Sequence, residues 1–375
     1  MAAKREGLAR ARRAAGYTQE DLARALLVDV STVGNWEAGR TEPLPHKRAL
    51  LARLLDIGKD RLEALLAESA SDVRGFDEMR EGSPEEMRQR VERVRRDYDW
   101  APSVSLLAIA ARNHQQLASL RASAQSRHSR RDFIVLEAES AILLGKLIWD
   151  ASQRVEHYTP RKYFERAIDA ARYADDRVTE ARAWLRTSYL SLYGDRIPRQ
   201  GLHHAQRAAD VAGGISPVHA GLALLHVAEA EAMLGSASAC DRTLDAARAQ
   251  LGAVADGAHD VEVDRMAGSC HLFLGRPRQA EEILLPVSRA LNAKQKSKAI
   301  VLGNLALAQI LQRDLEAAVA TLHRSLDTLE ASRGGGGLRV AIDAARQLRR
   351  WRLDPRVMEV QDRLLALMTT SLRTE

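Results

Sequence analysis

Four stretches of this chain repeat one pattern: an Ala-rich helix, a tight turn and a second Ala-rich helix. They read RAWLRTSYLSLYGDRIPRQGLHHAQRAADVA, GLALLHVAEAEAMLGSASACDRTLDAARAQL, DRMAGSCHLFLGRPRQAEEILLPVSRAL and IVLGNLALAQILQRDLEAAVATLHRSLDTL. Their turns centre on Gly194, Gly235, Gly275 and Arg313, a nearly constant spacing. Related segments before and after, ILLGKLIWDAS…TPRKYFERAIDAARYADD and RVAIDAARQLRRWRLDPRVMEVQDRLLALM, extend the set to about six hairpins. One such hairpin cannot bury its apolar face alone, so neighbours must stack on one another. With hydrophobic residues at 46% and aromatics at only 4%, the core must be built from Ala, Leu and Val, which are mostly good helix formers. No extended run alternates with period two. The expected fold class is all-α.

Ahead of the repeats, residues 5–68 predict five short helices. REGLARARRAAG ends at Gly16, a residue suited to a helix C-terminus. TQEDLARALL begins with Thr18 and carries Asp21 three residues on, a capping-box arrangement. After the short connection Val28-Asp29-Val30, Ser31 is placed to cap STVGNWEAG, with Val33 and Trp36 facing inward. PHKRALLARLLDI and KDRLEALLAE complete a five-helix bundle. Two helices joined by a three- to four-residue turn, the second polar on its outer face, form a helix-turn-helix.

The string LARARRAAGYTQEDLARALLVDVSTVGNWEAGRTEP, from Leu8 to Pro43, resembles the phage-repressor-type helix-turn-helix family, often called XRE. It departs in the turn, where Val28-Asp29-Val30 stands in place of a glycine-led turn; Asp29 is the expected left-handed residue. The resemblance implies double-stranded DNA as partner, with the second helix in the major groove. It places Val30, Ser31 and Asn35 at base edges and Thr32 beside them at the backbone. Asn35 can both donate and accept, which suits adenine, and Val30 can touch a thymine methyl. Gln19 and Arg40 are expected on phosphates, whereas Glu37 and Trp36 are expected to be structural. Residues 1–68 hold twelve Lys/Arg against ten Asp/Glu, so charge alone does not settle the matter. The useful asymmetry is local: between Met1 and Ala15, Lys4, Arg5, Arg10, Arg12 and Arg13 face only Glu6.

ESASDVRGFDEMREGSPEE, residues 68–86, breaks the helical periodicity and marks a boundary. A helix then restarts with Ser83 as cap and Pro84 in its first turn. Residues 88–131 contain ten arginines against Glu92, Asp97 and Asp99, the most basic stretch of the chain, most simply a solvated helix face and otherwise a contact to phosphates flanking an operator. The expected domains are 1–68 (DNA binding), 69–131 (linker and basic helical segment) and 132–375 (repeats).

The hairpins resemble the tetratricopeptide repeat, though their period is longer than the usual one of about 34 residues. Most of that repeat's signature aromatics are also replaced. The resemblance implies a right-handed superhelix whose concave face is lined by the first helix of each hairpin. Placed on those helices, Trp184, Ser188, His226, Glu229, Arg265, Ser269 and Asn304 face the groove, a polar surface suited to an extended peptide. The GGGG at 334–337 lacks phosphate-loop spacing and reads as a flexible loop.

No HExxH, Gly-x-Ser-x-Gly or paired-carboxylate signature is present, so no catalytic residue, metal or cofactor is indicated and no enzyme is expected. His203-His204 reads as a surface pair. Cys240 and Cys270 lie far apart in sequence and read as two small buried thiols. With no signal peptide and no apolar run of membrane length, a cytoplasmic location is expected. The net charge of +6 permits an anionic partner, although 48 of the 56 basic residues are Arg, a bias that base composition explains. A helix-turn-helix joined to such repeats resembles peptide-sensing quorum regulators (the RRNPP group) and the XRE–repeat regulators of high-GC bacteria. The implied function is transcription regulation by a homodimer on a palindromic operator, with the repeats dimerising and sensing a signal. The competing reading is an adaptor whose repeats dock a partner protein without sequence-specific DNA reading.

Overall fold

The computed structural model describes residues 5–26, 28–67, 82–253, 259–291, 294–332 and 334–372. Within these residues every regular element is helical, and the chain divides into two compact units, Met1–Ser83 and Pro84–Glu375.

The first unit contains α1 (Glu6–Ala14), α2 (Gln19–Leu26), α3 (Val30–Glu37), α4 (Pro45–Leu54) and α5 (Lys59–Ala67). Gly16, at φ 81°, ends α1 in the left-handed region that costs glycine least. The capping box at α2 forms in both directions: Asp21 N donates to Thr18 Oγ1 at 3.0 Å, and Thr18 Oγ1 donates to the Asp21 carboxylate at 2.6 Å. The cap of α3 is Asp29, not Ser31: its side chain accepts from Ser31 N at 3.2 Å. Nor is Asp29 left-handed, since φ −72° and ψ 147° are the extended values of an N-cap. The connection therefore needs no glycine at this position. Leu8, Leu22, Leu26, Val33, Trp36, Leu51 and Leu62 form the core of the unit, and Lys47 on α4 donates to Leu26 O at the end of α2.

The second unit opens with α6 (Pro84–Asp97) and α7 (Ser103–Ser123). Six hairpins follow: α8 (Arg127–Ala151) with α9 (Tyr158–Tyr173), α10 (Arg177–Tyr189) with α11 (Pro198–Ala212), and α12 (Pro217–Met233) with α13 (Ala237–Gly252). The last three are α14 (Asp260–Phe273) with α15 (Pro277–Ala290), α16 (Gln295–Leu311) with α17 (Leu315–Ser332), and α18 (Gly335–Gln347) with α19 (Pro355–Leu372). The first helices of successive hairpins touch one another. Gly145, Gly221, Gly268 and Gly303 sit on them where an added Cβ would meet Phe164, Leu251, Leu284 and Val340 within 2.5–2.7 Å. These glycines set how closely neighbouring helices approach. Turns at Gly235, Gly275 and Arg313 are left-handed as the pattern requires. In the first repeat the left-handed residue is Arg196 rather than Gly194, because a π turn at Leu190–Gly194 prolongs α10.

The middle segment is not a separate piece. Met87, Val91, Val94, Leu106 and Leu117 of α6 and α7 share a core with Leu136, Leu143 and Leu147 of α8. Several of its arginines are held internally: Arg90 by Glu86, Arg95 by Glu92, Arg121 by Glu137 and Arg131 by Ala174 O. Of the expected break at 68–86, residues 68–81 lie outside the described residues.

The glycine run at 334–337 is not a loop. Gly335–Gly337 form the buried first turn of α18: a Cβ on Gly335 would lie 2.6 Å from Asp150 O at the end of α8, and one on Gly337 2.6 Å from Ala299 on α16. Two ion pairs join elements that are distant in sequence. Lys296 on α16 bonds Ser103 Oγ at 2.8 Å and Asp150 at 3.2 Å, and Arg196 bonds Asp343 on α18 at 2.7 Å. The first two hairpins are thereby clasped to the last two. Cys240 and Cys270, although well separated in sequence, share one buried cluster between α13 and α14.

Candidate nucleic-acid interface and repeat interior

In the first unit the positions of α2 and α3 are fixed by an inner polar lock. Arg12 Nε donates to Glu37 Oε1 at 2.6 Å and its Nη1 to Tyr17 O at 2.7 Å, while Gln19 Nε2 donates to Glu37 Oε2 at 2.6 Å. Arg5 is likewise turned inward, bonding Thr41 O at 2.8 Å and Glu42 at 2.9 Å. The cationic excess ahead of Gly16 is therefore partly internal: Arg5 and Arg12 are buried, and only Arg10 and Arg13 of the described arginines there remain outside. Glu37 and Trp36 are buried at the heart of this lock. Gly34 faces α2 without crowding: an added Cβ would sit 4.0 Å from Gln19 Oε1, an ordinary contact.

With Val33 and Trp36 facing in, the outer face of α3 presents Val30 and Ser31 exposed, with Thr32 and Asn35 half-buried beside them. Arg40, exposed beyond the helix, donates to Asn35 Oδ1 at 3.3 Å. The Asn35 amide is thus braced while its NH2 group has no protein acceptor among the described residues. Gln19 stands half-exposed at the start of α2. This face offers a short hydroxyl, an amide, a methyl-bearing side chain and a guanidinium, groups that can bond base edges and phosphates.

In the second unit, four of the seven groove candidates meet. Ser269 Oγ donates to Glu229 at 2.6 Å, His226 Nδ1 lies 3.5 Å from the same carboxylate, and Arg265 stands in the same cluster, paired with Glu262. Tyr193, unforeseen from sequence, completes the network: its hydroxyl donates to Glu229 and lies 2.9 Å from His226 Nδ1. The chain His226, Tyr193, Glu229 is satisfied when His226 carries its proton on Nδ1. Tyr193 reaches in from the π turn, and Tyr189 packs on His226 at 4.3 Å between ring centroids.

Burial dominates the electrostatics here. It pushes His226 below its ordinary value against the pull of Glu229, and pushes the Tyr193 hydroxyl well up, with Glu229 adding to the rise. Burial opposes ionisation of Glu262 and Glu229, yet Arg265 holds Glu262 down to about 2, and hydrogen bonds from His226, Ser269 and Tyr193 hold Glu229 below the usual range. The other three candidates lie apart from this network. Ser188 is fully buried and bonds Leu185 O of its own helix at 2.7 Å. Trp184 stacks on His204 at 5.6 Å and donates to Glu180, and Asn304 is half-buried on α16. His226, Glu229 and Ser269 are themselves 3–7% exposed, so they line a filled interior rather than an open groove.

Among the described residues no group of His, Cys, Asp and Glu could hold a metal ion, and no helix is long and apolar enough to cross a membrane. Residues 8–62 match the family described as Helix-turn-helix (HTH_3), and the first unit is a helix-turn-helix domain of this XRE type. A search of curated proteins gives no match. Among solved structures the chain is similar to that entitled "Crystal Structure of Rap Protein Complexed with Competence and Sporulation Factor". The identity is 12% and the TM-score 0.44, over 78% of this chain and all of that one. It is also similar to "Crystal structure of APC/C hetero-tetramer Cut9-Hcn1", with 15% identity and a TM-score of 0.43, over 94% of this chain and 64% of that chain.

Proposed function

We propose that the protein is a sequence-specific DNA-binding transcriptional regulator that acts as a homodimer on a palindromic operator. In this reading residues 1–68 read DNA and residues 132–375 supply dimer contacts and sense a peptide or other signal. Residues 69–131 join the two, and their helices α6 and α7 belong with the repeats. The observation that carries the proposal is the outer face of α3. Val30, Ser31, Thr32 and Asn35 are presented together by a helix whose opposite side is anchored by Trp36 and the Arg12–Glu37 pair. Short polar side chains on a rigidly held helix suit groove reading, and Gln19 and Arg40 flank them where phosphates would pass. One such helix reads only about four or five base pairs, so two copies on a palindrome are the physical route to useful specificity. No catalytic step forms part of the proposal.

Selection of bound duplexes from random DNA by the full-length protein at moderate salt is the direct test. An enriched palindrome is expected, and a folded protein that enriches nothing rejects the proposal in favour of a protein-docking adaptor. Replacing Asn35 by Ala should cost about 1–3 kcal/mol at a single base position. Gln19→Ala and Arg40→Ala should instead weaken binding to every sequence and reduce the salt slope.

A further inference from the structure

A second polar cluster lies away from the His226 network, where the two ends of the hairpin stack are clasped. Lys146 and Asp150 are one turn apart on the same face of α8. The Lys146 ammonium lies 3.2 Å from the centre of the Tyr98 ring, and the Lys296 ammonium lies 3.9 Å from the same ring. Their hydrogen bonding differs. Lys296 bonds Asp150 and Ser103, whereas among the described residues no oxygen accepts from Lys146. Arg154, just beyond α8, has a buried Nε–H that also lacks an acceptor. Arg154, Arg186, Asp99 and Asp150 all act through space on Tyr98 or on these two lysines. Four basic side chains thus stand against two carboxylates, one of which is already engaged by Lys296 and Ser103. Burial pushes Lys146 well below the ordinary lysine range, and a bound anion would restore its charge.

An ammonium without an acceptor in a largely desolvated place is costly, and a ring face supplies only part of what water would. The unmet groups are all donors. Lys146 as a whole residue is half-buried, with its ammonium against the Tyr98 ring.

We propose that Lys146 and Lys296, which share the Tyr98 ring, form with the neighbouring Arg154, whose guanidinium stands over Trp149, a binding site for an oxyanion group, a carboxylate or a phosphate. Three ammonium N–H groups and a guanidinium N–H are the donors such a group accepts from, and charge-assisted bonds of this kind are the strong ones. Insofar as the site names the chemistry of a signal, it rests on the sensing role proposed above. The binding measurement does not, so failure to read DNA and failure to bind an oxyanion are separate results.

The test is isothermal titration of the full-length protein with inorganic phosphate and, separately, with acetate, ionic strength being held constant with chloride. Saturable binding of one anion per chain is expected. Phosphate alone points to a phosphorylated ligand and acetate alone to a carboxylate such as a peptide terminus. Lys146→Met should weaken that binding at least about tenfold, the order expected for losing hydrogen bonds to a charged donor. The variant places an apolar chain on Tyr98 in place of an unpaired ammonium, so its melting temperature should equal or exceed that of the parent protein. Lys146→Arg should retain most of the affinity. Absence of saturation with both anions, or unchanged binding by Lys146→Met, overturns the proposal.

Discussion

Glu37 shows how much one buried side chain can organise. Its two carboxylate oxygens take Arg12 and Gln19, so one residue ties α1, α2 and α3 together. Arg12→Ala would leave that carboxylate about nine-tenths buried with only an amide partner. Chemical denaturation should show the first unit destabilised by about 3 kcal/mol, the lower end of what breaking a buried pair costs. At this scale the sequence is legible where a residue's role depends on its own helix. Val33 and Trp36 face inward, and Thr18 and Asp21 cap each other, because spacing along one helix decides both. Asp29 displaces Ser31 as the cap of α3 because both are competent caps. Which one wins depends on where the backbone leaves the extended region. Tyr193 is not legible at all: its partners His226 and Glu229 sit on another hairpin, and only a π turn aims it at them.

Among the elements, α18 departs most from what its composition suggests. Three glycines at the start of a helix are poor helix formers, yet Gly335–Gly337 are buried: the end of α8 leaves no room for a side chain at Gly335, Arg154 crowds Gly336, and Ala299 with Leu329 crowd Gly337. In Gly335→Ala the new Cβ would meet Asp150 O at 2.6 Å and Gln153 Cα at 2.9 Å, backbone atoms that cannot turn aside. Thermal or urea unfolding should show a loss of about 1–3 kcal/mol from overpacking, although alanine is the better helix former by about 1 kcal/mol. Gly252→Ala, at the end of α13 with nothing within 4 Å, should instead be neutral or stabilising by up to about 1 kcal/mol. The pair separates space from propensity. The repeat period is legible because stacking imposes it on every hairpin. The role of this glycine run is not, because it depends on a helix that lies five hairpins earlier in the chain.

Considered whole, the second unit is held by contacts between its ends as well as by nearest-neighbour stacking. Lys296→Met would strip Asp150, which is 3% exposed, of its ammonium partner and leave it Ser103. Loss of about 3 kcal/mol is expected. Hydrogen exchange should rise first in α7, α8 and α18, whereas uniform loss across all hairpins would argue against a clasp. Acid should act on the unit in two windows. Burial holds His114, His204, His219, His226 and His271 below the ordinary 6.5, so the unfolded chain binds more protons there and stability falls as pH drops through that value. Glu262, held at about 2 against an ordinary 4.5, contributes above about pH 4.5 and is lost as pH falls toward 2. Denaturant midpoints measured from pH 8 to pH 3 should decline in both windows, and a flat profile between pH 7 and 5 would contradict the histidine assignment.

The clasp also sets a timetable for synthesis. Ser103 and Lys296 are 193 residues apart, so at about 5–20 residues per second the ribosome delivers the second roughly 10–40 s after the first. Throughout that interval the nascent α7 and α8 carry Asp150 with no ammonium to meet it, and the docking face for α18 stays open. A solenoid built only on neighbour contacts could mature hairpin by hairpin from its first repeat. This one cannot finish its first hairpin until its last has left the ribosome. Its N-terminal repeats should therefore be the part that chaperones and proteases meet while translation is still under way.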